Sequence, residues 1–196
     1  MESGFVLKDH PDGSVTFNLN WTPPPSLKQP PDLDIGCLYI LSDGHRGAVQ
    51  AAGGHLGTSE SMPHICIPRD DRNGAGDEGE TLIIARPQFV AFAVVFAMIY
   101  RGVSDFRAVG AVLQIEHPGL APRAIALASP DPGLRWCALA VCGCEEGKFV
   151  VLPQERYFLS ARHADDHYGI GLDWGIGLKD WSSHRSPKAA DSGPGI

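Results

Sequence analysis

Between Arg69 and Glu80 the chain sets five carboxylates, Asp70, Asp71, Asp77, Glu78 and Glu80, among three glycines, Gly74, Gly76 and Gly79. Carboxylates crowded in this way repel one another unless positive charge sits among them. A hard divalent cation answers that repulsion. Calcium suits it best, because it takes roughly six to eight oxygen ligands from flexible loops. The glycines let the backbone turn sharply and bring carbonyl oxygens toward such an ion. Upstream, Asp32-Leu33-Asp34 repeats the theme. At spacing i, i+2 in an extended segment both side chains lie on one face, so they can share one ion.

Two familiar motifs fail on the loop. Gly74-Ala75-Gly76-Asp77-Glu78-Gly79 spells the dinucleotide fingerprint G-x-G-x-x-G. Its two acids would repel a pyrophosphate, and the strand-like segment that follows offers no helix N-terminus to receive one. An EF-hand opening at Asp71 would place Leu82 where the bidentate acid belongs. A loop calcium site of another kind and a solvated acidic turn both stay open. Elsewhere, His163 and His167 have the i, i+4 spacing of a helical metal pair, with Asp165 and Asp166 between them. They bring no third ligand, so the segment reads as a polar connecting turn. No Ser/His/Asp or Cys/His grouping has a spacing diagnostic of catalysis.

These residues need a scaffold, and the chain is long enough for one. Its 196 residues fit a single domain with a proper core, and 43% hydrophobic against 20% charged residues favours folding. The net charge of −7 comes without a basic stripe, which argues against nucleic acid as a partner. The N-terminus lacks the pattern of a secretory signal. The longest apolar run, Phe89 to Tyr100, is too short for a membrane helix, while peripheral membrane association stays open. The five cysteines, Cys37, Cys66, Cys137, Cys142 and Cys144, then read as reduced thiols, and a cytoplasmic location is expected. By strand parity Cys142 and Cys144 share one face and Cys137 takes the other.

The elements that must hold the acids read as strands. Asp12-Gly13 suggests a hairpin between residues 5–7 and 14–19. A proline-rich connector over residues 23–31 delivers Asp32 to the head of a strand over 35–41. Residues 45–62 read as loop. Short strands are expected at 65–67 and 81–84, on either side of the acidic loop. The run 89–100 carries bulky residues on one period-two face and small ones on the other, the pattern of a central strand buried on both faces. Further strands are expected at 109–116, 124–127, 136–141 and 149–152. A last one fits the alternation of Ile170, Leu172, Trp174, Ile176 and Leu178. The expected fold is all-β, a β-sandwich of two stacked, mainly antiparallel sheets over residues 1–181, with a disordered tail at 182–196.

Asp32-Leu33-Asp34 ahead of a hydrophobic strand, followed by Asp70-Asp71-Arg72-Asn73-Gly74, resembles the tellurium-resistance (TerD-like) domain family. Phe96-Ala97-Met98-Ile99-Tyr100-Arg101-Gly102-Val103, Trp136-Cys137-Ala138-Leu139-Ala140, Glu155-Arg156-Tyr157-Phe158 and Tyr168-Gly169-Ile170-Gly171-Leu172-Asp173-Trp174 point to its TerA-like branch. The resemblance covers roughly residues 5–181. It implies a calcium-binding, non-enzymatic β-sandwich tied to tellurite resistance and wider bacterial stress responses. It further implies that Asp32, Asp34, Asp70, Asp71, Asp77 and Glu80 stand at acidic positions of the family site, with Arg72 and Gly74 offering backbone carbonyls. Gly79 departs from the usual TerD-like acid, which narrows the expectation to one calcium ion with a second as the alternative.

The expected function is therefore an interaction or scaffold module whose partners are calcium and the other proteins of a stress-response complex. A small-molecule or anion sensor, or a metal-dependent enzyme using the same loop, is the competing reading. Direct thiol chemistry on tellurite is weighed against the ordinary habit of free cysteine, which is to be buried as a small hydrophobe.

Overall fold

Val15, Phe17 and Leu19 are fully buried while Thr16, Asn18 and Asn20 are half-buried. That period of two recurs along the chain and builds the architecture. The computed structural model describes residues 4–7, 13–22, 25–27, 30–68, 79–118, 120–128, 131–174 and 178. In chain order the strands are β1 (Phe5–Leu7), β2 (Val15–Asn20), β3 (Asp32–Leu41), β4 (Arg46–Gln50), β5 (Gly57–Thr58) and β6 (Ile65–Cys66). They continue with β7 (Glu80–Ile84), β8 (Val90–Arg101), β9 (Val112–Glu116), β10 (Arg123–Ala126), β11 (Trp136–Glu145) and β12 (Lys148–Phe158). A single α-helix among the described residues, α1 (Ala161–Tyr168), follows.

Two six-stranded antiparallel sheets form, in the orders β1-β12-β11-β8-β3-β4 and β10-β9-β2-β7-β6-β5. The all-β sandwich expected from the sequence is the fold. Between the sheets lies the main core, which takes Phe17 and Leu82 from one sheet and Leu33, Ile35, Val95 and Ala97 from the other. The outer face of the first sheet is apolar too. There Leu38, Val94, Phe96, Met98 and Trp136 pack beneath Ala161 and Ala164 of α1 and beneath Ile170. Strand β8 is thus buried on both faces, as its two-sided apolar pattern predicts. Phe96 and Trp136 stack at a centroid distance of 4.5 Å on the helix side.

Several expectations are corrected. Residues 5–7 and 15–20 do not form a hairpin: β1 pairs with β12, and β2 pairs with β7 and β9 in the other sheet. A turn signal marks a reversal but not which sheet the chain enters next. Residues 45–62 are not all loop, because Arg46–Gln50 forms edge strand β4 against β3 and Gly57–Thr58 forms β5. The polar turn expected around His163 is helix α1, capped by Ser160, whose hydroxyl accepts the His163 amide. The tail at 182–196 lies outside the described residues.

The expected last strand is also absent from the described part of its range. Over residues 170–174 the chain wraps around Asp165, which is only 3% exposed. One carboxylate oxygen accepts the amide of Gly171 at 2.7 Å; the other accepts the amide of Leu172 at 3.0 Å and Nε1 of Trp174 at 2.7 Å. Gly169 and Gly171 take left-handed φ angles of 67° and 75°, which breaks an extended course. The alternation of Ile170, Leu172 and Trp174 reports burial against the outer sheet face. Asp165→Ala should strip three donors of their acceptor and cost about 3 kcal/mol in urea unfolding. Asp165→Asn, which keeps one oxygen, should cost less.

Candidate metal centre

The proline-rich connector ends at Pro31, whose carbonyl accepts Nε1 of Trp21 at 3.2 Å. Gly102, at φ 93°, passes so close that a Cβ there would lie 2.6 Å from Cα of Pro31. This contact pins the head of β3 against the end of β8. Leu33 and Ile35 then face the inter-sheet core, and Asp34, opposite Met98, faces the outer side. The two acids are buried, Asp32 at 4% and Asp34 at 6% exposure.

A register shift sits between Asp32 and Leu33. Leu33 pairs with Ile99, yet Asp32 pairs with Arg101, so Tyr100 is the extra residue of a bulge. The bulged carbonyl of Tyr100 accepts Nη2 of Arg135 at 3.3 Å. Arg101 is thereby brought level with Asp32, and its Nε lies 3.2 Å from the Asp32 Oδ2.

The exit of the acidic loop reaches the same place from the opposite sheet. Glu80, first residue of β7, is fully buried. Its Oε2 accepts the amide of Ile35 at 2.6 Å. The β4 ladder reaches only as far as Gly36, opposite Gln50, so the amide of Ile35 is left for Glu80. Gly79 precedes it at φ 60°, where a Cβ would run into the carbonyl of Leu19 and the side chain of Asn20. An acid at position 79 has no room on this backbone, which accounts physically for the glycine.

Asp32 and Asp34 thus sit on the first residues of β3, Asp34 on the outer face, and Glu80 reaches the same stretch of backbone from the other sheet. Antiparallel pairing of β6 with β7 returns both ends of the acidic loop to this region. Asp70, Asp71, Arg72, Gly74 and Asp77 lie outside the described residues. Among the described residues no three His, Cys, Asp or Glu side chains converge into a metal-holding group. The arginine at position 101 escaped the sequence reading, since only the bulge aligns it with Asp32.

The histidines stand elsewhere. His167, on α1, has its Nε2 2.9 Å from the guanidinium of Arg156 and packs against Phe158. The thiols are mostly core atoms. Strand parity is broken by a bulge at Leu139, so Cys137 faces the main core together with Cys142 and Cys37. Burial pushes all three thiols well above the ordinary range. Cys66 is buried as well, whereas Cys144 is exposed. A raised pKa means less thiolate, the reactive form, at neutral pH. Partial burial raises the Cys144 thiol too, but it alone of the five is exposed, so a thiol reagent at pH 7 should label it first and the other four only on unfolding. Stability should also decline as pH climbs past the free-thiol value of about 8.5, because the unfolded chain then sheds protons that the folded core retains.

A two-sheet antiparallel sandwich with buried acids at one end defines the class. No family model matches the chain. A search of curated proteins finds the tellurium resistance protein TerA of Alcaligenes sp., 31% identical over 150 residues, which are 76% of this chain and 44% of TerA. The chain thus spans less than half the length of that relative. Two solved structures share the fold at 20% identity. One is SAV2460, a protein of unknown function, with a TM-score of 0.57 over 76% of this chain and 91% of that one. The other is a homologue of the telluride resistance protein TerD from Streptomyces coelicolor A3(2), with a TM-score of 0.54 over 75% and 90%. The chain belongs to the tellurium-resistance, TerD-like family.

Proposed function

We propose that this chain is a calcium-binding, non-enzymatic interaction module with a role in tellurite resistance or a related bacterial stress response. The observation that carries the reading is the buried Glu80 carboxylate on the amide of Ile35, which ties the exit of the acidic loop to the strand bearing Asp32 and Asp34. The curated relative, itself named for tellurium resistance, supports the biological context.

The residues present suit the ion. Asp32, Asp34 and Glu80 offer only oxygen, the donor that a hard cation takes, and lie at the end of the sandwich where the loop returns. Asp70, Asp71 and Asp77, with backbone oxygens of Arg72 and Gly74, would complete the set. Bound calcium would supply positive charge to carboxylates that otherwise repel. The chain's part is structural: Pro31 and Gly102 hold the strand head, and Glu80 fixes the loop exit. With the site filled, that end of the sandwich would hold one shape for a protein partner in the cytoplasm.

Calorimetric titration with calcium, against an EDTA-treated control, tests the reading. Saturable binding is expected together with a rise in melting temperature, worth about 2.7 kcal/mol of stability at a hundredfold excess over Kd. Asp32→Ala combined with Asp34→Ala should abolish most of that gain, while Asp165→Ala should leave the affinity unchanged. Lack of binding by the wild-type chain, or binding that survives the double substitution, counts against the proposal.

A further inference from the structure

Asp32 already has a cation beside it. The guanidinium of Arg101 lies 3.2 Å from its carboxylate, on a side chain that is half exposed, while the Asp32 side chain is 6% exposed. The pairing depends on a local irregularity. Continuing the regular β3–β8 register would set Tyr100 opposite Asp32, and the bulge puts Arg101 there in its place. Bulges commonly serve to re-aim a side chain next to a functional site. Arg135 donates to the carbonyl of Tyr100, the residue that the bulge sets out of register.

The geometry points to Arg101 as a resident counter-charge that opposes divalent-cation binding and sets its threshold, an inference that rests on the calcium reading above. An ion held by Asp32 at about 2.4 Å would lie within roughly 5–6 Å of a guanidinium on the same carboxylate. Two positive charges at that separation repel, and the repulsion is stronger beside buried groups than in water. The ion must therefore either bind against Arg101 or displace it. Displacement is open to this side chain, because half of its surface already meets solvent and its aliphatic stem can swing outward. The same pair shields Asp32 when no ion is bound. Arg101 would thus hold the ion-free site together while lowering its affinity.

The opposite role is a brace. An arginine that merely oriented Asp32 for the ion would strengthen binding, and its loss would weaken it. Arg101→Gln separates the two, read by calcium calorimetry and by melting with and without the ion. It should bind calcium about five- to tenfold more tightly than wild type, the range expected when a half-exposed ion pair no longer competes. Its melting temperature should fall below wild type in EDTA and converge with wild type at saturating calcium. Equal or weaker affinity in a folded Arg101→Gln protein would overturn the inference. Arg101→Lys, which keeps the charge but loses the planar fork, guards against misfolding and should bind with an affinity between the two. Weaker binding by the lysine variant than by wild type would establish the brace and overturn the competitor. If neither wild type nor Arg101→Gln binds calcium, the calcium reading fails and this inference with it.

Discussion

A carboxylate with no solvent exposure, Glu80, accepts a backbone amide from the opposite sheet at Ile35. Burying a charge of this kind is costly unless hydrogen bonds or opposite charge compensate it. The fold arranges compensation by letting β4 stop at Gln50, opposite Gly36, so that one amide of β3 is released to the carboxylate. That bond joins the two sheets at one end and ties the exit of the acidic loop to the head of β3. Removing it would leave a buried charge without its amide and an amide without its acceptor.

The two faces of the first sheet play different parts. Its inner face contributes to the inter-sheet core, where burial raises the pKa of three thiols. Its outer face needs a cover, and α1 with residues 170–174 provides one, locked by a single carboxylate at Asp165. Both acids, Glu80 and Asp165, are buried and held by backbone amides, yet they do different work. Asp165 closes a local wrap within ten residues of chain. Glu80 joins segments 45 residues apart.

Where side-chain alternation and burial coincide, the sequence was readable. β8 announced itself through two apolar faces, and β2 and β7 through one each. Asp32, Asp34 and Glu80 stand out in the sequence as candidate ligands because acids at strand heads are conspicuous. What alternation does not carry is register. The bulge at Leu139 reverses the parity on which the placement of Cys137 was based, and the bulge at Tyr100 brings Arg101 to Asp32. Alternation around Ile170 suggests a strand because a strand and a glycine-broken wrap can bury the same residues. Strand β4, Arg46–Gln50, is not legible in the sequence because an edge strand with Gly47 at its second position has little pattern to show.

The central claim is that the head of β3 and the acidic loop form one cation site. A crystal structure grown with calcium, or with a lanthanide in its place for anomalous scattering, tests this most directly. The account predicts a peak coordinated by Asp32 and Asp34 together with oxygens from residues 70–80. A peak confined to another part of the molecule, or none at a cation concentration that saturates binding in solution, would contradict it.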